Sequence, residues 1–230
     1  MSDLDPEAAP SPQSGMRVRV WDLPTRLLHW SFAVGVGFSW WTAETGRLEW
    51  HRWCGYTLLA LLLFRVYWGF VGSSTARFAQ FVRGPRAVLD YLKGRWAPAA
   101  GHNPLGALSV LALLGLLMLQ VALGLFAVDV DGIESGPLSL YVSFDTGRAC
   151  AEWHEGVFNV LMALIVVHVL AVLYYRFARR QNLVAAMFTG HRRFEIAVTP
   201  ATRASWPWLI VGIVLAGAVT WAVSQAFQFS

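Results

Sequence analysis

The chain has 230 residues, of which 56% are hydrophobic and 14% charged, with 12 tryptophans and a formal charge of +4. Soluble domains carry about 45–50% apolar and about 25% charged residues. One globular core of this size cannot absorb the excess, so the class is polytopic membrane protein. The 18 Lys and Arg are spread among apolar segments, which argues against nucleic-acid binding. Cys54 and Cys150 form neither a C-x-x-C-H nor a C-x-x-C pattern. Covalent haem attachment is therefore not encoded, and iron–sulfur or structural zinc sites are disfavoured.

In chain order, residues 1–16 are rich in Pro, Ser and acidic residues and predict a disordered tail. They lack the basic and apolar regions of a signal peptide. Five segments approach the roughly 20 apolar residues that a bilayer core demands: 27–44, 51–72, 104–127, 154–176 and 206–223. Asp22 can cap the first helix and Pro24 suits its first turn, so that helix can begin upstream of residue 27. The expected fold is an all-α integral membrane protein. Four transmembrane helices form a bundle within residues 17–195, and residues 196–230 add a fifth C-terminal transmembrane helix. The stretch 85–96 is too polar to span and reads either as a surface amphipathic helix or as a solvated basic loop.

Arg17, Arg19 and Arg26 flank the first span, five basic residues lie between 73 and 103, and five more follow the fourth span. The 128–153 connection holds Arg148 against Asp129, Asp131, Glu134, Asp145 and Glu152. The positive-inside rule then puts the N-terminus in the cytoplasm and the C-terminus in the periplasm of a bacterial inner membrane.

Four of the six histidines lie in or at the ends of spans. Ionisable groups at membrane depth are rare and usually functional. By depth, His51 pairs with His154 on the periplasmic side and His29 with His168 on the cytoplasmic side. His154 and His168 are 14 residues apart, close to four turns and about 21 Å of rise, so they share one helix face. Two imidazoles from different helices clamp a cofactor inside a bundle. Zinc wants three or four protein ligands, and the span interiors hold essentially no carboxylates. Two axial nitrogens fit two haems b, one per pair, six-coordinate and suited to electron transfer.

Arg65 lies 14 residues after His51, at the depth of the cytoplasmic pair, where a haem propionate is a natural partner. Gly55 lies one turn below His51 and either admits a porphyrin or merely packs helices. His102 either contacts a propionate or quinone proton, or caps the turn beside Pro104. Cys54 and Cys150 favour two free thiols over a disulfide. Glu152, Glu155 and Asp145 either serve a quinol or a basic cytochrome c, or are simply solvated. Gly115 and Gly124 predict close helix packing in the third span, which offers no ligand.

The stretches Trp21-Asp-Leu-Pro-Thr-Arg-Leu-Leu-His29-Trp30, His51-Arg-Trp-Cys-Gly55, Arg65-Val-Tyr-Trp-Gly-Phe-Val-Gly72, Gly101-His-Asn-Pro-Leu-Gly106, Glu134-Ser-Gly-Pro-Leu138 and Trp153-His154-Glu155 resemble the bacterial cytochrome b561 family. That group includes the cytochrome-b subunit of membrane nickel–iron hydrogenases. The resemblance covers about residues 17–195. It implies a four-helix di-haem bundle exchanging electrons between the quinone pool and a redox partner, with His29, His51, His154 and His168 as ligands. It also implies that Arg65 and the 101–106 turn lie near the cytoplasmic haem. The 206–223 span departs from the four-helix pattern and serves either to dock a partner or to anchor the chain.

The sequence thus predicts an electron-transfer cytochrome b linking membrane quinone to a periplasmic c-type cytochrome or other redox subunit. The alternatives are a stand-alone oxidoreductase moving electrons from a small periplasmic donor such as superoxide to quinone, or the membrane-anchor subunit of a hydrogenase-like complex. A haem-free transporter is a third class, but no internal repeat supports it.

Overall fold

The structure, a computed structural model, describes residues 15–97 and 99–226. The order is β1 (Met16–Arg19), α1 (Leu23–Glu44), α2 (Leu48–Val71), α3 (Phe78–Phe81), α4 (Pro85–Leu92), α5 (Pro104–Phe126), a short 3-10 turn, α6 (Phe144–Phe177), α7 (Leu183–Thr189), β2 (His191–Phe194) and α8 (Trp206–Ala226). Four helices, α2, α5, α6 and α8, are long and apolar enough to cross a membrane. With 22 residues, α1 has the length for a crossing, about 33 Å, but lower apolarity. Arg26, His29, Trp30, Trp40 and Trp41 dilute it, and tryptophan belongs at membrane interfaces.

Local chemistry sets the helix starts. Asp22 accepts the Thr25 N–H at 2.8 Å, with Pro24 in the first turn of α1. Asn103 accepts the Gly106 N–H at 2.7 Å and Pro104 opens α5. Each cap satisfies a donor that the helix cannot.

The largest departure from expectation is α6. It runs for 34 residues from Phe144, ten residues upstream of the predicted start at 154. His154 therefore sits nearly three turns inside the helix, and Asp145 and Glu152 are helical instead of loop residues. Polarity hid this segment: Asp145, Arg148 and Glu152 interrupt its apolar pattern. Ser143 caps it by accepting the Thr146 N–H at 3.2 Å, Asp145 suits the first turn, and Arg148 pairs with Glu152 at 3.6 Å. Similarly, α2 begins at Leu48, one turn before His51, after a turn built on Gly46 at φ +67°.

The all-α expectation needs one amendment, a two-stranded antiparallel sheet of β1 and β2 pairing Met16 with Phe194 and Arg19 with His191. Val18, Val20 and Phe194 bury its inner face beside Trp21 and Ala186. Met16, assigned to the disordered tail by the sequence, is in a strand. The rest of that expectation, residues 1–14, lies outside the described residues. Of the two readings for 85–96, the helix is observed: α4 runs from Pro85 to Leu92.

The main core joins Val36 of α1, Cys54, Leu58 and Leu62 of α2, Leu117 and Val121 of α5, and Leu161 of α6. Against the other side of α2 packs α8, where Gly212 admits the rings of Tyr67 and Phe64. A methyl group at residue 212 would lie 2.5 Å from Tyr67. The outer faces of α6 and α8 expose large apolar side chains such as Val167, Leu170, Ile213 and Val214, as lipid-facing helices do.

Candidate functional site: two facing histidine pairs

Both ends of the bundle are organised by α6. In its N-terminal third, His154 faces His51 of α2 with ring centres 6.0 Å apart. Fourteen residues further on, His168 faces His29 of α1 at 6.3 Å. A metal–imidazole bond is about 2 Å long, and the ring centre lies roughly 1 Å beyond the bonding nitrogen. Two imidazoles on opposite sides of one metal ion therefore have centres about 6 Å apart, and both pairs meet that spacing. Among the described residues no three His, Cys, Asp or Glu side chains converge as metal ligands, so each pair supplies two nitrogens.

Hydrogen bonds orient the rings. Nδ1 of His51 lies 2.9 Å from the Ser39 carbonyl, and Nδ1 of His154 lies 2.9 Å from the Gln120 carbonyl. A carbonyl oxygen only accepts, so Nδ1 carries the proton and Nε2 keeps its lone pair for a metal. Nδ1 of His168 approaches the Ser109 hydroxyl at 3.4 Å. Nδ1 of His29 is buried without a partner, and its ring meets Trp30 edge-on at 5.0 Å.

A cavity of about 390 Å³ opens around the His51–His154 pair, lined also by Gly55, Gly124, Arg52 and Glu134. A methyl group at residue 55 would meet nothing within 4 Å, so Gly55 borders space and not a neighbouring helix. Gly124 behaves oppositely: a methyl group there would lie 2.9 Å from Cε1 of His154. Its absence of a side chain makes room for that ring. Arg52 and Glu134 pair at 2.7 Å on the wall of the cavity.

Arg65, on α2, is buried, and its Nη1 has no partner. The guanidinium lies 5.0 Å from the centre of the Phe78 ring. Asp22, the nearest carboxylate in charge terms, is occupied by the Thr25 N–H and by Trp68 Nε1 at 2.9 Å. An unpaired guanidinium in a low-dielectric interior is costly, and an anionic group brought by a cofactor would satisfy it.

His102 lies close enough to Arg65 and His168 to sense their charges. Its ring packs between Trp21 at 4.6 Å and Phe81 at 4.7 Å. The turn beside Pro104 is capped by Asn103 instead. Burial, reinforced by Arg65, pushes the His102 pKa down to about 3. Cys54 and Cys150 are both free thiols, and Cys54 Sγ donates to the Gly35 carbonyl at 3.2 Å.

Sequence reasoning missed Ser39, Ser109 and Gln120 as ring-orienting residues, and read Gly124 as a helix contact only. Two of the acceptors are backbone carbonyls, which leave no trace in residue type. Gln120, a buried amide in an apolar helix, was the available signal.

Fold and site define a helical membrane protein built around two facing histidine pairs. The chain belongs to the prokaryotic cytochrome b561 family, which it matches over residues 20–190. It is similar to proteins named probable Ni/Fe-hydrogenase B-type cytochrome subunit. The relative from Azotobacter chroococcum mcd 1 is 25% identical, and the alignment covers 77% of this chain and 89% of the relative. That from Azotobacter vinelandii is 26% identical with the same coverage. The Rhizobium leguminosarum bv. viciae protein is 25% identical over 63% of this chain and 68% of its own length. No solved structure matches. The family implies haem b, and with these relatives it identifies a membrane cytochrome b of electron transfer.

Proposed function

We propose that the chain binds two haems b, one between His51 and His154 and one between His29 and His168, and relays electrons across the membrane. The observation that carries this reading is the pair of ring separations, 6.0 and 6.3 Å, repeated at two depths of a single helix. Haem b would supply a one-electron iron couple, held by His51 and His154 at one site and by His29 and His168 at the other. The protein's residues do the rest. Ser39 and Gln120 hold two Nε2 atoms inward, Gly55 and Gly124 leave space for the macrocycle and the His154 ring, and Arg65 offers a buried cation to a propionate.

The rise between His154 and His168, about 21 Å, covers most of a hydrocarbon core of about 30 Å. The membrane quinone pool at one face and a redox protein at the other are the exchange partners this reading assigns. With the N-terminus in the cytoplasm of a bacterial inner membrane, the His51–His154 end faces the periplasm. Asp129, Asp131, Glu134, Asp145 and Glu152 give that end an acidic rim, which fits a basic c-type cytochrome. The names of the relatives favour a second reading, a nickel–iron hydrogenase as the partner. Purification in mild detergent separates them by whether a c-type cytochrome or a hydrogenase subunit accompanies the chain. Haem content tests the core of the proposal: two haems b per chain are expected, and none would end it.

A further inference from the structure

Outside the histidine pairs, the most unusual charge arrangement is on the two-stranded sheet. Arg17 and Arg193 stand directly opposite each other across β1 and β2. Like charges at facing positions destabilise a strand pair. Among the described residues neither arginine is in an ion pair, and both are exposed. With Thr189, His191 and Arg192 they line a groove of about 230 Å³. Arg192 is otherwise engaged, donating to Gln181 at 2.7 Å, and Glu195 does not line the groove.

The groove opens beside an apolar strip. Leu23, Leu27 and Trp30 recur at helical spacing on α1, and Leu23 and Leu27 are exposed. The exposed Phe188 stacks on Trp30 with ring centres 4.4 Å apart. Phe188 directly precedes Thr189, so cations and apolar strip are contiguous. Arg26 holds the junction by donating to the Phe188 carbonyl.

We infer that this surface binds one anionic phospholipid, with its phosphate between Arg17 and Arg193 and an acyl chain along Leu23, Leu27 and Phe188. Guanidinium groups hold phosphate oxygens in bidentate pairs, and a bridging phosphate converts the cross-strand repulsion into attraction. A lipid supplies both halves of the site, whereas a free phosphate supplies one. The inference requires α1 to lie in the bilayer and does not depend on haem.

Delipidated protein in mild detergent is titrated with phosphatidylglycerol or phosphatidylcholine of identical chains, and bound lipid is counted by native mass spectrometry. One phosphatidylglycerol is expected to bind with a preference on the order of tenfold or more. The double variant R17Q/R193Q should lose that preference while keeping its helical circular dichroism, since removing the repulsion does not weaken the fold. R17K/R193K keeps the charge without the planar fork and should bind at an intermediate level. Equal binding of the two lipids by the native protein, or an unchanged preference in R17Q/R193Q, overturns the inference. Displacement of the lipid by inorganic phosphate at matching concentration also overturns it, in favour of a free-phosphate site.

Discussion

The Nδ1 atom of His154 sits 2.9 Å from the main-chain carbonyl of Gln120, so the ring of one helix is locked by the backbone of another. The proton on Nδ1 leaves the lone pair of Nε2 free, and the ring centre lies 6.0 Å from that of His51. An acceptor on the main chain cannot be removed by substituting Gln120, but the space for the ring can be removed through Gly124.

Replacing Gly124 with valine should therefore expel one of the two proposed haems. Its Cβ alone would lie 2.9 Å from the His154 ring, so the ring must shift away from its bond to the Gln120 carbonyl. Haem per chain should fall from two to about one, measured by the pyridine haemochrome assay. Gly55→Leu should do the same for a different reason, by filling open cavity. Gly55→Ala should leave the apoprotein fold intact.

Arg65→Ala should weaken retention of the haem proposed between His29 and His168 and lower its midpoint potential, because a nearby cation favours the reduced iron. Arg65→Lys should recover most of the potential but less of the retention, lacking the bidentate fork. A redox titration that leaves both potentials unmoved in Arg65→Ala would remove the propionate role. Without any anionic partner, deleting this buried charge should instead stabilise the protein.

Asp22 joins two tasks, capping α1 through Thr25 and accepting from Trp68 Nε1. Asp22→Ala should cost about 1–2 kcal/mol for the cap alone, plus the penalty of a buried indole N–H left without a partner. A lower Tm by several degrees is expected, with Asp22→Asn recovering part of it.

The depressed pKa of His102, about 3 against an ordinary 6.5, predicts an acid-sensitive fold. The unfolded chain takes up this proton near pH 6.5 and the native chain does not. The contribution of His102 is therefore fully present above pH 6.5 and declines as pH falls toward 3. Thermal unfolding followed at pH 7.5 and pH 5 should show a drop that is smaller in His102→Phe, which keeps an aromatic ring between Trp21 and Phe81.

Much of this was legible in the residues. The 14-residue interval between His154 and His168, and the depth pairing with His51 and His29, follow from helix geometry and span order. Other features were hidden for definable reasons. The first ten residues of α6 look like a loop because Asp145, Arg148 and Glu152 break the apolar run, although Ser143 is a proper cap. The β1–β2 pairing joins residues 16–19 to residues 191–194, a contact that no local pattern announces. The apolarity of α1 fell short because tryptophan and histidine, the very residues that serve interface and site, lower it. The ring-orienting carbonyls of Ser39 and Gln120 leave no trace in residue type beyond the buried amide of Gln120 itself.

The most direct test of the account is haem stoichiometry and reduced-minus-oxidised spectra across the four single variants His29→Ala, His51→Ala, His154→Ala and His168→Ala. The pairing predicts two haems in the native chain. His51→Ala and His154→Ala should each lose one spectral component, and His29→Ala and His168→Ala should each lose the other. A native chain with one haem, or loss of the same component in His51→Ala and His168→Ala, would contradict it.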